Sequence, residues 1–176
     1  MQRRPITLRD GRAVTLRSSE AKDLAAFVAA FGKLSSESRH SRFMASVKVL
    51  PEALLARAVL PSPEQDAQLV AEDEKGEIVG AGHESILPDQ RSCEFSVTVA
   101  DSWRGIGLAS ALMRELIADA RERGLERMEG WVLSENTAML DLARRLGFQV
   151  RRSPDDPAVR QVALDLVPQR TSNKAP

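Results

Sequence analysis

The sequence predicts a mixed α/β fold, an α+β arrangement in which a central twisted mixed sheet is flanked by helices. Three observations predict it. Residues 92–100 alternate strictly, with Cys93, Phe95, Val97 and Val99 on one face and Glu94, Ser96 and Thr98 on the other, the period of a strand. Leu108, Leu112 and Leu116 repeat every four residues, and Met113, Ile117 and Ala120 widen the stripe, the period of an amphipathic helix. Segments of both kinds are interleaved along the chain, which calls for helices packed on the faces of a sheet.

Taken in order, residues 1–10 read as a polar lead-in. Val14 and Leu16 alternate with Thr15 and Arg17 in a short strand. Ser19 can cap a helix with Glu20 in its first turn, and Leu24, Phe27, Val28 and Phe31 share one face of it. A polar stretch follows, and Pro51 suits the start of a second helix with Leu54, Leu55, Ala58 and Val59 on its apolar side. Two strands, 68–71 and 78–84, flank a turn containing Asp73 and Gly76. After the strand at 92–100 and the helix at 108–123, Gly124 closes the helix. A strand at 127–133 leads to a helix marked by Met139, Leu142, Ala143 and Leu146 and ended by Gly147. Val162, Leu164 and Leu166 alternate in a final strand. No repeat or linker divides the chain, so a single domain over residues 1–176 is expected, with its core at about 12–167 and a polar tail at 168–176.

Composition narrows the function. Lys+Arg and Asp+Glu both number 25, and this balance argues against a dedicated nucleic-acid binder. One cysteine, Cys93, permits no internal disulfide, and no Cys/His cluster suggests a metal. The first residues lack the apolar core of a secretory signal, and no run is long enough to span a bilayer, so a cytoplasmic protein is expected.

The chemistry points to one junction. The strand at 92–100 runs through Asp-Ser-Trp-Arg-Gly-Ile-Gly into the long helix. First-turn amides have no intrahelical acceptors and the helix dipole favours negative charge there, so a glycine-rich turn at a helix start suits a phosphate. Gly105 and Gly107 permit close approach of the backbone, and Arg104 adds a cation.

Arg104-Gly105-Ile106-Gly107-Leu108-Ala109 resembles the Q/R-x-x-G-x-G/A motif of the GNAT superfamily of N-acetyltransferases, and sits between a strand and a helix as it does there. Asn136 followed by Leu146-Gly147-Phe148 resembles that family's second signature. The resemblance spans roughly residues 14–166 and is strong over 93–148. Within the superfamily, the stretches 93–113 and 135–148 resemble the catalytic domains of bacterial protein lysine acetyltransferases. The resemblance implies acetyl-CoA as cosubstrate. The amides of Arg104, Gly105, Ile106, Gly107, Leu108 and Ala109 would hold the pyrophosphate of coenzyme A. The backbone near Val97 and Val99 would pair with the pantetheine arm, and an N–H there could stabilise the oxyanion. Asn136 would bond the cofactor, a role compatible with capping a helix.

The implied reaction is direct attack of a primary amine on the thioester, leaving Cys93 as a buried structural thiol. A lysine-like amine with a pKa of about 10.4 is neutral at pH 7 in only about one molecule per thousand, so a base is needed. Glu94, on the polar face of the strand, is the catalytic candidate, because in the resembling lysine acetyltransferases a glutamate at this place acts as base. Glu84 and His83 are reserves. Many family members carry a tyrosine seven residues after the asparagine; here that position is Ala143, and the chain contains no tyrosine. Ser134, a water or unassisted release of the thiolate then serves the leaving group. The acceptor side is expected to include Ser38, Arg39, His40, Ser41 and Arg42. Arg144, Arg145, Arg151 and Arg152 read as surface charges, and Trp103 and Trp131 as packing residues. Three functions remain open: acetylation of a protein lysine, acetylation of a small-molecule amine, and non-catalytic acyl-CoA sensing.

Overall fold

A computed structural model gives the architecture. It describes residues 3–33 and 66–167. The expected helix beginning at Pro51, the acceptor-side residues 38–42 and the tail 168–176 lie outside the described residues.

Eight strands form one sheet in the order β1-β2-β3-β4-β5-β6-β8-β7. They are β1 (Arg4–Thr7), β2 (Ala13–Ser18), β3 (Asp66–Asp73), β4 (Ile78–Ile86), β5 (Ser92–Val99), β6 (Arg127–Leu133), β7 (Gln149–Arg152) and β8 (Val159–Asp165). The helices are α1 (Leu24–Lys33), α2 (Leu108–Glu122) and α3 (Thr137–Arg145). All neighbouring strands are antiparallel except β5 and β6, which run parallel because α2 crosses between them.

α2 seats its Leu108, Leu112, Leu116 stripe on β4. A Cβ on Gly80 would stand 3.1 Å from Leu108, and one on Gly82 would stand 3.1 Å from Leu116, so these glycines set how closely the helix approaches. The register then fixes the faces. Gly80 pairs with Val99, Gly82 with Val97 and Glu84 with Phe95, so all six lie on the α2 side. That side also holds Cys93, Met128, Val162 and Leu164, which join Leu140, Leu142, Ala143 and Phe148 in the core cluster. The other side is far more polar. It presents Arg17, Gln68, Asp66, His83, Ser85, Ser96 and Glu94.

Three expectations change. Residues 4–7 are a strand rather than a lead-in, paired with β2 and tied to α2 by Arg4 and Glu115. β7 pairs with β8 as a second late strand. The first helix opens with a turn at Ala21–Asp23, whose Asp23 carboxylate accepts from the Glu20 amide at 2.7 Å, while the Ser19 amide donates to Gln68 of β3. Asp23 also takes two bonds from the buried Arg17, at 2.7 and 2.8 Å, and Arg17 reaches Glu72 at 2.7 Å. These contacts pin the start of α1 to the sheet. Leu24 and Val28 of its apolar stripe stand 43% and 48% exposed.

Candidate active site

The parallel ladder between β5 and β6 is short. Ser92, Cys93 and Glu94 pair with Arg127, Met128 and Glu129, and there it stops. From Phe95 onward the edge of β5 that faces β6 has no strand partner among the described residues. The two strands fork, and Phe95 occupies the α2 side of the crotch. A Cβ on Gly130 would stand 2.8 Å from the Phe95 ring, which also packs edge-on against Phe148 at 5.3 Å. The residue pairing at the fork therefore requires a glycine on β6.

Both helices that follow these strands begin at the mouth of the fork. Gly107 is the N-cap of α2, with φ of 102°, a left-handed conformation that a residue with a Cβ adopts only at a cost. No carbonyl among the described residues accepts from the amides of Gly105 through Ser110, and a Cβ on Gly105 would meet nothing within 4 Å. The loop thus offers a run of free donors on an open side. Arg104 is exposed and pairs with Asp101 at 3.0 Å. On the opposite arm, Asn136 caps α3 by accepting from the Met139 amide at 3.1 Å. Together the arms enclose a cleft of about 450 Å³ lined by Phe95 to Val99, Gly105, Gly107 to Ser110, Trp131, Val132 and Glu135 to Met139. Of the nine expected cosubstrate contacts, Val97, Val99, Arg104, Gly105, Gly107, Leu108, Ala109 and Asn136 line this cleft, and Ile106 sits half-buried behind them.

Two carboxylates flank the fork on opposite faces. Glu94 is exposed on the polar side, in the last residue pair before the strands part, beside Glu129, and it borders the cleft without being among its lining residues. Glu84 is fully buried on the α2 side, bonded to Arg123 at 3.1 Å, and its second oxygen has no hydrogen-bond partner. Burial, and then the Asp119 charge, push Glu84 up to about 7 against the pull of Arg123. As a reserve base Glu84 is therefore misplaced, shut beneath α2 away from the cleft. His83 lies on the polar side, 3.5 Å from the buried Asp66.

Known proteins share this fold. The sequence pattern described as the acetyltransferase (GNAT) family matches residues 36–148. An acetyltransferase of Pseudomonas aeruginosa is 36% identical over 153 residues, covering 85% of this chain and 82% of that protein. The chain belongs to the GNAT acetyltransferase family. A further relative, an L-methionine sulfoximine/L-methionine sulfone acetyltransferase of Pseudomonas aeruginosa, is 41% identical over 86 residues, covering 47% of this chain and 50% of its own. Among solved structures, the GNAT domain of S. lividans PAT superposes with a TM-score of 0.86 at 26% identity, covering 93% of this chain and 96% of that one. A Salmonella typhimurium protein, yncA, solved with its cofactor acetyl-CoA, gives 0.73 at 22%, covering 92% and 99%. This GNAT chain is thus an acyltransferase with acetyl-CoA as cosubstrate, and the free amides, the open glycine loop and the unpartnered β5 edge fit such a molecule.

The remaining side chains of this GNAT site settle several sequence expectations. Cys93 is fully buried, and burial pushes its thiol up to about 12, as befits a packing residue. Ala143 is fully buried in α3, so the position where many relatives carry a tyrosine is sealed in the core. The Ser134 hydroxyl donates to the Pro157 carbonyl at 3.2 Å, and Ser134, like Glu94, is not among the residues lining the cleft. Trp131 is 38% exposed in the cleft wall rather than packed away, and Arg145 also lines the cleft. Arg151 and Arg152 are exposed on β7, as expected of surface charges. Arg9 was not singled out in the sequence, yet the structure brings it to the glycine loop.

Among the described residues no helix is long and apolar enough to cross a membrane, and no acidic, histidine or cysteine group could hold a metal.

Proposed function

We propose that this chain transfers an acetyl group from acetyl-CoA directly to a primary amine, with Glu94 as the base that takes the amine's proton. The observation that carries the reading is the fork itself, with an exposed carboxylate at its crotch and a glycine-lined helix mouth on one arm. The cosubstrate supplies an activated acetyl carbon, which passes from sulfur to the acceptor nitrogen. The amides from Gly105 to Ala109 hold its diphosphate, the expected Arg104 amide being bonded to the Asp101 carbonyl at 3.3 Å instead. The free edge of β5 near Val97 and Val99 pairs with its amide-bearing arm as an added strand would. An N–H on that edge donates to the carbonyl oxygen as charge grows there. Asn136 borders the arm from α3. At neutral pH the base must offset about 4–5 kcal/mol of amine protonation. A thiol of pKa about 8.5 leaves without a dedicated acid, consistent with alanine at position 143.

For the acceptor we favour a protein lysine, supported by the resemblance of residues 93–113 and 135–148 to the catalytic domains of bacterial protein lysine acetyltransferases. The second reading, a small amino-acid-like amine, draws on the relative named for L-methionine sulfoximine, which aligns over 86 residues. Thiol release from acetyl-CoA across lysine peptides, folded proteins, polyamines and amino acids separates the two. Turnover confined to free amino acids would remove the lysine reading. In the E94Q variant, CoA affinity should hold while kcat falls about 10²–10⁴-fold; unchanged kcat would remove Glu94 as base.

A further inference from the structure

The turn joining β1 to β2 is fastened to the glycine loop. The Arg9 amide donates to the Ile106 carbonyl at 3.1 Å. Arg12 donates to the Ser102 carbonyl at 3.0 Å and stacks over the Trp103 ring at 4.1 Å. The Arg9 side chain then runs along Gly107: its Cγ and Nε lie 3.7 Å from where a Gly107 Cβ would stand. It lines the cleft beside Gly105, Gly107 and Ser110.

Three arginines surround this loop, and they differ in their commitments. Arg12 is paired with Asp10 at 2.7 Å, and Arg104 with Asp101 at 3.0 Å. The Arg9 side chain has no ion pair or hydrogen bond among the described residues. Its charge stands at the positive end of the α2 dipole, and the first turn of α2 contains no acidic residue to offset it. A cation at a helix N-terminus is unfavourable unless an anion sits between the two. Backbone amides and a guanidinium converging on one open spot provide the two kinds of donor that a phosphate oxygen accepts from best.

We propose that Arg9 is a phosphate-binding residue of the acetyl-CoA site, reaching over from the β1–β2 turn to close the diphosphate against the mouth of α2. This rests on the reading that the cleft holds the cosubstrate. It gives the N-terminal hairpin a function: the backbone bond from Arg9 and the Arg12 stack hold the turn so that one side chain is presented to the loop.

The test is calorimetric titration of CoA and of 3′-dephospho-CoA into wild type and the R9Q variant. R9Q is expected to bind both ligands about tenfold more weakly, the loss of one charge-assisted contact. The slope of log Kd against log salt should also flatten. Melting of the ligand-free R9Q protein should match wild type, because the side chain holds nothing there; R9K, which keeps the charge without the fork, carries the same comparison should R9Q fold poorly, and is expected to lose less. Equal affinity of wild type and R9Q for CoA would overturn the role of Arg9 while leaving the cleft reading intact. A loss seen with CoA but absent with dephospho-CoA would overturn the assignment to the diphosphate. Failure of wild type to bind CoA would overturn the cleft reading itself.

Discussion

Glu84 and Glu94 stand on adjacent strands near the same fork, and their surroundings are opposite. Glu84 faces α2, is fully buried, keeps one oxygen unbonded and is pushed up to about 7. Glu94 faces the polar side and is exposed where β5 and β6 part. A search for a strongly perturbed carboxylate would select Glu84, since perturbed groups concentrate at functional sites. We propose Glu94 instead because it is exposed at the fork while Glu84 is sealed, and a base must reach the proton it removes. On the α2 side, burial and the neighbouring Asp119 charge produce the perturbation, and the group is sealed from any acceptor.

The largest test of this contrast pairs the two isosteric variants. E94Q should lower kcat about 10²–10⁴-fold, whereas E84Q should retain kcat within a few-fold, both measured at saturating acetyl-CoA. The reverse pattern would move the chemistry to the α2 side. Next comes stability against pH. Folding raises Glu84 from an ordinary carboxylate value of 4.5 to about 7, so the folded protein favours its neutral form. That contribution is complete below pH 4.5 and is lost as pH rises through about 7. Wild type should therefore lose on the order of 3 kcal/mol between pH 4.5 and 8 from this group, and E84Q should flatten that part of the profile in denaturant titrations. A smaller effect separates two duties of Asn136. N136A should cost about 1 kcal/mol of stability through the lost cap, and N136S, which can still cap, should recover it. A CoA affinity that stays low in N136S would mark the amide group as a ligand contact. Smallest of all, C93A should cost about 1 kcal/mol or less in stability, leave turnover intact, and the native thiol should resist alkylation.

The central sheet was legible wherever alternation is strong. β3 to β6 and α2 match their expected positions to within a few residues, since apolar faces repeat there at 2 or 3.6 residues. β1 was hidden because Arg-Pro-Ile-Thr carries one apolar residue and pairs on a single side; β7, an edge strand with only Val150 half-buried, was hidden for the same reason. The glycine loop and Asn136 were legible as local patterns at element starts. The burial of Glu84 was not, because Gly80 and Gly82 precede it on the same face and leave no apolar mark. Arg9 had no local signal at all, since its place depends on docking between segments almost one hundred residues apart.

The eight strands are continuous by order but not by strength of joining. Between the five strands before the fork and the three after it, the backbone ladder consists of three residue pairs, fewer than at any other seam in the sheet. Strain applied across the molecule would concentrate at this seam, whose opening admits an extended ligand. A guest that zips onto the bare edge of β5 would act as a splint, so occupancy should protect amides of both halves from hydrogen exchange at once.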